Sequence, residues 1–161
     1  MAKVLVVYHS RSGSTAKMAE AVAEGAKNGG ADVILKNVEA ATLEDLTAAD
    51  GVVFGAPTYF GTLSGEMKSF IDKSVRIRGR LENKVGAAFT SSGSLSGGNE
   101  TTLISMIEAM LIHGMIIVGD PIETGGHYGA VAVGAPDAEA LKACTKLGER
   151  VAKLAKLIAS A

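Results

Sequence analysis

Apolar residues along the chain fall into two alternating patterns. Short runs read as strands: "KVLVVY" (3–8), "ADVILKNV" (31–38), "GVVFGA" (51–56), "KVGAAFTSS" (84–92) and "MIIVG" (115–119). The first is β-branched and apolar throughout, the mark of a strand covered on both faces. Helix-period segments lie between them. Residues 15–27 carry Met18, Ala19, Val22 and Ala26 on one face, with Gly29-Gly30 as a stop. A short, weak helix fits "TLEDLTAAD" (42–50), and Pro57 is expected to end the third strand. "GEMKSFIDKSV" (65–75) offers the stripe Met67, Phe70, Ile71 and Val75, while "ETTLISMIEAMLIHG" (100–114) ends at Gly114. A long helix from Asp137 to Ala159 closes the chain.

Strands that alternate with helices predict a parallel sheet with right-handed crossovers. The fold class is therefore α/β, a three-layer αβα sandwich on a five-stranded parallel sheet in the order 2-1-3-4-5. No linker, repeat or low-complexity stretch interrupts residues 1–161, so a single domain is expected.

Composition narrows the function. The 161 residues are 47% hydrophobic and 20% charged with a net charge of −1, which gives no field for nucleic acid or an anionic membrane. Neither a signal peptide nor a membrane-inserting segment is visible, and one cysteine, Cys144, cannot form an internal disulfide. A cytoplasmic location is expected. Cys144 falls between Leu141 and Leu147 and reads as a small core residue. His9, His113 and His127 lie apart without metal-ligand spacing, so no metal site is expected. Arg76, Arg78 and Arg80 alternate in one loop, either as a solvated face or as a dock for a nicotinamide-cofactor phosphate or an acidic redox partner.

In such sheets ligands bind beyond the carboxyl ends of the strands, near the topological switch. That rule selects three loops. The first, Ser10-Arg11-Ser12-Gly13-Ser14-Thr15, has neither a G-x-G-x-x-G nor a Walker pattern. It packs hydroxyls at a helix N-terminus, whose free N–H groups and dipole suit one terminal phosphate. The second, Ala56 to Thr62, sets Pro57 and Thr58 before Tyr59, Phe60 and Gly61, a pair of aromatics suited to a planar ring beside a glycine that permits close approach. The third runs from Thr90 through Ser91, Ser92, Gly93, Ser94, Leu95 and Ser96 to Asn99, a polar, glycine-rich wrap for a heterocycle. Phosphate cage, ring platform and polar wrap together fit flavin mononucleotide (FMN).

The chain resembles the flavodoxin-like superfamily from end to end, and within it the WrbA-type NAD(P)H:quinone oxidoreductases. "VVYHSRSGSTAKMAEAVAEGA", "GAPTYFGTLSGEMKSFIDK", "FTSSGSLSGGNETTL" and "HGMIIVG…GGHYGA" carry the resemblance. It implies that Ser10 to Thr15 hold the FMN phosphate, and that Pro57 to Gly61 and Ser91 to Ser96 contact the isoalloxazine. His113 takes the position of a family histidine near the flavin; its other reading is a helix-terminal histidine complementing the dipole. Three departures stand out: a short segment 74–84 without the family's tryptophan, a short stretch after the second strand, and His127 in "GGHYGA" where the family has proline. They bear on the quinone pocket and on the tetramer, and make a homodimer the expected assembly with a tetramer as the alternative.

Three functions remain open: an enzyme passing two electrons from NADH or NADPH through FMN to a quinone, a flavodoxin-type electron carrier, and a non-catalytic flavin-binding protein. Carrier flavodoxins surround the ring with acidic residues, whereas the three loops here contain no Asp or Glu. The enzyme is the expected reading.

Overall fold

A computed structural model describes all residues, Met1–Ala161. β1 (Lys3–Tyr8) pairs in parallel with β2 (Asp32–Asn37) on one side and with β3 (Gly51–Tyr59) on the other. β3 pairs with β5 (Val85–Ser92) and also turns back through β4 (Thr62–Leu63) as a short antiparallel hairpin. The fifth position of the sheet is shared. β6 (Ile116–Ile117) lies beside the start of β5, and β7 (Ala130–Val133) lies beside its end. The sheet thus has seven strands, ordered β2-β1-β3-β5-β6 with β4 and β7 off that path. Counted along the main sheet, this is the expected order, but the single fifth strand is replaced by two short ones.

Residue alternation explains the layers. Val4 and Val6 of β1 pack with Met18 and Val22 of α1 (Ser14–Asn28) and with Leu147 and Val151 of α5 (Ala138–Ala159). Leu5 and Val7 point the other way. They meet Leu46 of α2 (Leu43–Ala48), Phe70 of α3 (Gly65–Lys73) and Met106 of α4 (Asn99–Ile112). A strand with both faces covered must be apolar throughout, which is why the strand runs lack polar alternation.

Caps fix the helix starts. Thr42 and Asp45 form a reciprocal capping box on α2, Ser64 caps α3 and Asp137 caps α5. Two expectations change in detail. β3 runs through Pro57 to Tyr59 instead of stopping at the proline. The Gly55 carbonyl accepts from His9 N–H, so the nitrogen two residues on faces the same side, beyond the end of β1, and no ladder bond is lost. Val75 is also not a core residue: the chain tightens into a 3-10 turn at Ser74–Ile77, which buries Ile77 and leaves Val75 exposed.

Candidate functional site

The ends of β1, β3 and β5 open onto one crevice. The first loop turns into α1 at Gly13, whose φ of 101° reaches the helix start without a side-chain cap. Ser10 Oγ accepts from the N–H groups of Gly13 and Ala16, both at 3.2 Å. Thr15 is buried and its hydroxyl shares a 2.9 Å hydrogen bond with Ser91, pinning the first loop to the end of β5. The N–H groups of Ser12, Ser14 and Thr15 find no acceptor within the chain, and neither do the hydroxyls of Ser12 and Ser14. A helix N-terminus with free amides and hydroxyls is an anion site by construction. Arg11 is exposed, with its guanidinium 5.9 Å from the Tyr59 ring centroid, so a cation–π contact spans the first and second loops.

The second loop is a tight hairpin. Thr58 faces Leu63 and Tyr59 faces Thr62, which leaves Phe60 and Gly61 as the two turn residues, with φ of 48° and 80°. Positive φ at both positions is the hairpin geometry that matches strand twist. Phe60 projects from the tip fully exposed. Beneath it a ladder of threonines ties three elements together: Thr102 of α4 donates to Thr58 at 3.0 Å, and Thr58 and Thr90 share a bond of 3.0 Å. Thr101 donates to the Gly61 carbonyl, and a Cβ on Gly98 would lie 2.5 Å from the Gly61 Cα. Hairpin tip and third loop are therefore in direct backbone contact.

In the third loop Ser91 and Ser92 are the last residues of β5, both buried. Ser92 donates to the Ser94 carbonyl at 3.0 Å and accepts from Asn99 Nδ2 at 3.3 Å. Gly93, Ser94, Leu95 and Ser96 are exposed, and a Cβ on Gly93 would meet nothing within 4 Å. The crevice thus brings together the expected residues of all three loops, but divides them. Ser10, Thr15, Ser91 and Ser92 spend their hydroxyls inside the protein, whereas Ser12, Ser14, Tyr59, Phe60 and Gly93 to Ser96 remain available. Thr101 and Thr102, absent from the sequence expectation, hold the hairpin; their hydroxyls in the first turn of a helix were the available signal.

His113 is not brought to the crevice. It caps the C-terminus of α4, and that helix, 14 residues long, spans about 20 Å from the third loop to the opposite edge of the sheet. There Nε2 lies 2.7 Å from Ser74 Oγ, while Nδ1 is buried without a partner. Burial, with Arg78 nearby, holds its pKa below the usual histidine value. Within its own chain it is thus a helix-terminal residue and lies away from the crevice. Arg76, Arg78 and Arg80 follow α3 at that same edge, remote from the crevice. Cys144 is fully buried and its thiol is pushed up to about 12 by burial and by the charge of Asp120, so it stays protonated and inert.

The available groups fit an FMN. Three free amides and two hydroxyls suit a monophosphate, and an aromatic in left-handed backbone with no packing partner suits a planar ring. Known proteins agree. The profile of a family described as NADPH-dependent FMN reductase matches residues 36–127. An NAD(P)H dehydrogenase (quinone) of Archaeoglobus fulgidus is 41% identical over 188 aligned positions, covering 97% of this chain and 98% of that protein. The chain belongs to the NADPH-dependent FMN reductase family.

Within that family its WrbA-type resemblance holds in structure as well. A flavodoxin, WrbA-like protein from Agrobacterium tumefaciens superposes with a TM-score of 0.86 at 33% identity, over 98% of this chain and 99% of that one. A protein named flavodoxin from Aquifex aeolicus is 43% identical over 95% of this chain and 86% of its own length. No helix is long and apolar enough to cross a membrane.

Proposed function

We propose that the chain is an FMN-dependent oxidoreductase that passes two electrons from NADH or NADPH to a quinone. It works as a single domain over residues 1–161, in the cytoplasm, as a homodimer with a tetramer as the larger alternative. The observation that carries the reading is the charge of the crevice. Residues 10–15, 56–62 and 90–98 hold no Asp or Glu, and the one charged side chain among them is Arg11, seated over Tyr59. Such a crevice accommodates the negative charge that arrives with a hydride, where a ring of carboxylates would oppose it.

Bound FMN supplies a ring that accepts a hydride from nicotinamide and gives two electrons to a quinone. The protein does the rest. The N–H groups of Ser12, Ser14 and Thr15 and the hydroxyls of Ser12 and Ser14 bind the phosphate. Tyr59, Phe60 and Gly61, stiffened by the Thr102–Thr58–Thr90 ladder, would position the ring, and the exposed backbone of Gly93 to Ser96 would offer it polar contacts. The balance is NAD(P)H, a proton and a quinone giving NAD(P)⁺ and a hydroquinone.

Because both substrates need the same open ring face, they must alternate. Steady-state rates with a benzoquinone varied against NADH and against NADPH are expected to give parallel double-reciprocal lines. The Aquifex relative favours the flavodoxin-type electron-transfer alternative. No turnover with either nicotinamide would decide for that alternative. The dimer is supported by Val75, Leu111 and Ile112, which are 69%, 56% and 70% exposed beside α3 and on α4. Light scattering should show a dimer at micromolar concentration, and a monomer there would contradict it.

A further inference from the structure

A cavity of about 790 Å³ lies outside the crevice, along the free edge of β7. β7 pairs with β5 alone, so its outer side is open. Leu95 and Leu103 form one wall, Ala140 and Ala143 of α5 the other, and Val133 stands between them. The groove has a direction. Val133 pairs with Ser92 beside the third loop, and the four residues of β7 then carry the groove down the sheet for about 13 Å, towards Tyr128.

Its far end is rigid. The carboxylate of Asp120 is wholly buried, accepts from the His127 N–H at 2.9 Å and from Thr124 Oγ1 at 3.0 Å, and lies 3.2 Å from His127 Nδ1. Arg150 donates to the Gly119 and Asp120 carbonyls, fastening the same segment to α5. Its upper end opens on the crevice. Leu95 is 82% exposed and belongs both to the third loop and to the groove. An apolar side chain left so exposed at a ligand loop marks a contact with something apolar.

Charge selects the occupant. Glu100, Asp137 and Glu139 are exposed on the rim, and the groove has no Lys or Arg. The polyphosphate of NAD(P)H, a fatty acid and an anionic lipid headgroup are all repelled there. A neutral hydrocarbon chain is not.

We propose that this groove is the subsite for the hydrophobic side chain of the quinone, so that the substrate class is alkyl- or prenyl-substituted quinones. The inference rests on the quinone-reductase reading above. The headgroup sits at the crevice, and the side chain passes Leu95 and lies along β7 past Val133 and Ala143. No dinucleotide competes for that path.

The test compares 2,3-dimethoxy-5-methylbenzoquinone with its 6-decyl derivative on the FMN-loaded protein. The decyl quinone is expected to show a KM at least about tenfold lower, from the methylenes withdrawn from water. Val133→Asp and Ala143→Asp, each of which sets a charge in the groove, should bring that ratio close to one. Both should leave the KM and kcat for the short quinone unchanged. Val133 is already half-exposed, so its variant folds even if a charge at Ala143 disturbs α5. Backbone amide shifts give a readout independent of turnover: titrated decyl quinone should move Val131 and Val133, and only weakly in Val133→Asp. Equal KM values for the two quinones, or a ratio untouched by Val133→Asp, overturns the proposal while leaving the reductase intact. If neither quinone is reduced, the reductase reading falls, and the amide titration still decides the groove. Shifts along β7 would then show a hydrocarbon-binding groove that is not a substrate subsite, and their absence removes the groove altogether; either way the proposal falls with the reductase.

Discussion

Phe60 sets backbone against side chain. Its φ of 48° belongs to a turn position that favours Asn or Gly, and full exposure means no packing offsets the strain. On the proposed function, the ring is held there for the flavin. Replacing Phe60 by Asn restores the Asn-Gly turn and is expected to stabilise the FMN-free protein by about 0.5–1 kcal/mol while weakening FMN several-fold. Urea melts and FMN titration check this, and a variant that binds FMN as well as the parent would remove the platform role. The serines separate in the same way. Ser12→Ala with Ser14→Ala should cost about 1.5–3 kcal/mol of FMN affinity per lost bond to the phosphate, with no loss of stability. Thr15→Ala should instead destabilise the apo-protein by about 1 kcal/mol or more, because it orphans the buried Ser91 hydroxyl. The sequence shows a surplus of hydroxyls at this turn. It does not show which are consumed inside, since Thr15 and Ser91 meet across 76 residues.

At the scale of elements, the α1–α5 layer depends on two close approaches. A Cβ on Gly148 would lie 2.0 Å from the Val22 carbonyl oxygen, and one on Gly25 would lie 1.8 Å from that of Thr145. Gly148→Ala must push the helices apart and should cost about 1–3 kcal/mol, read from a chemical melt. The end of α4 carries a pH effect. His113 has its pKa lowered by burial first and by Arg78 second, so the unfolded chain binds a proton that the folded one refuses. Stability is therefore full above the unfolded value of about 6.5 and falls as pH drops below it. In His113→Gln this decline should shrink; an unchanged pH profile would contradict the assignment. Helices and long strands were legible because their periods differ and their faces are uniformly apolar. β7 was not: "AVAV" is four residues long, and its partner Phe89–Ser92 lies far off in sequence. The split fifth strand follows from the excursion around buried Asp120, a tertiary constraint that no local pattern carries.

For the whole molecule, the sheet places chemistry at one edge and structure at the other. The three loops, which themselves hold no carboxylate, lie at the carboxyl ends of the strands, while His113 and the arginines at 76, 78 and 80 sit at the opposite end. Sequence motifs located the crevice through the order of the loops. They did not show where His113 lies, because a motif records position along the chain, and α4 carries His113 to the far end of the strands. The central claim is that a flavin held by these carboxylate-free loops takes a hydride. The most direct measurement is anaerobic addition of NADH, and separately NADPH, to the FMN-loaded protein while the flavin absorbance is followed. The account predicts that at least one nicotinamide bleaches the flavin band within the turnover time, and that a benzoquinone added afterwards restores it. A flavin band that neither nicotinamide changes, in a protein that nonetheless binds FMN tightly, would contradict it.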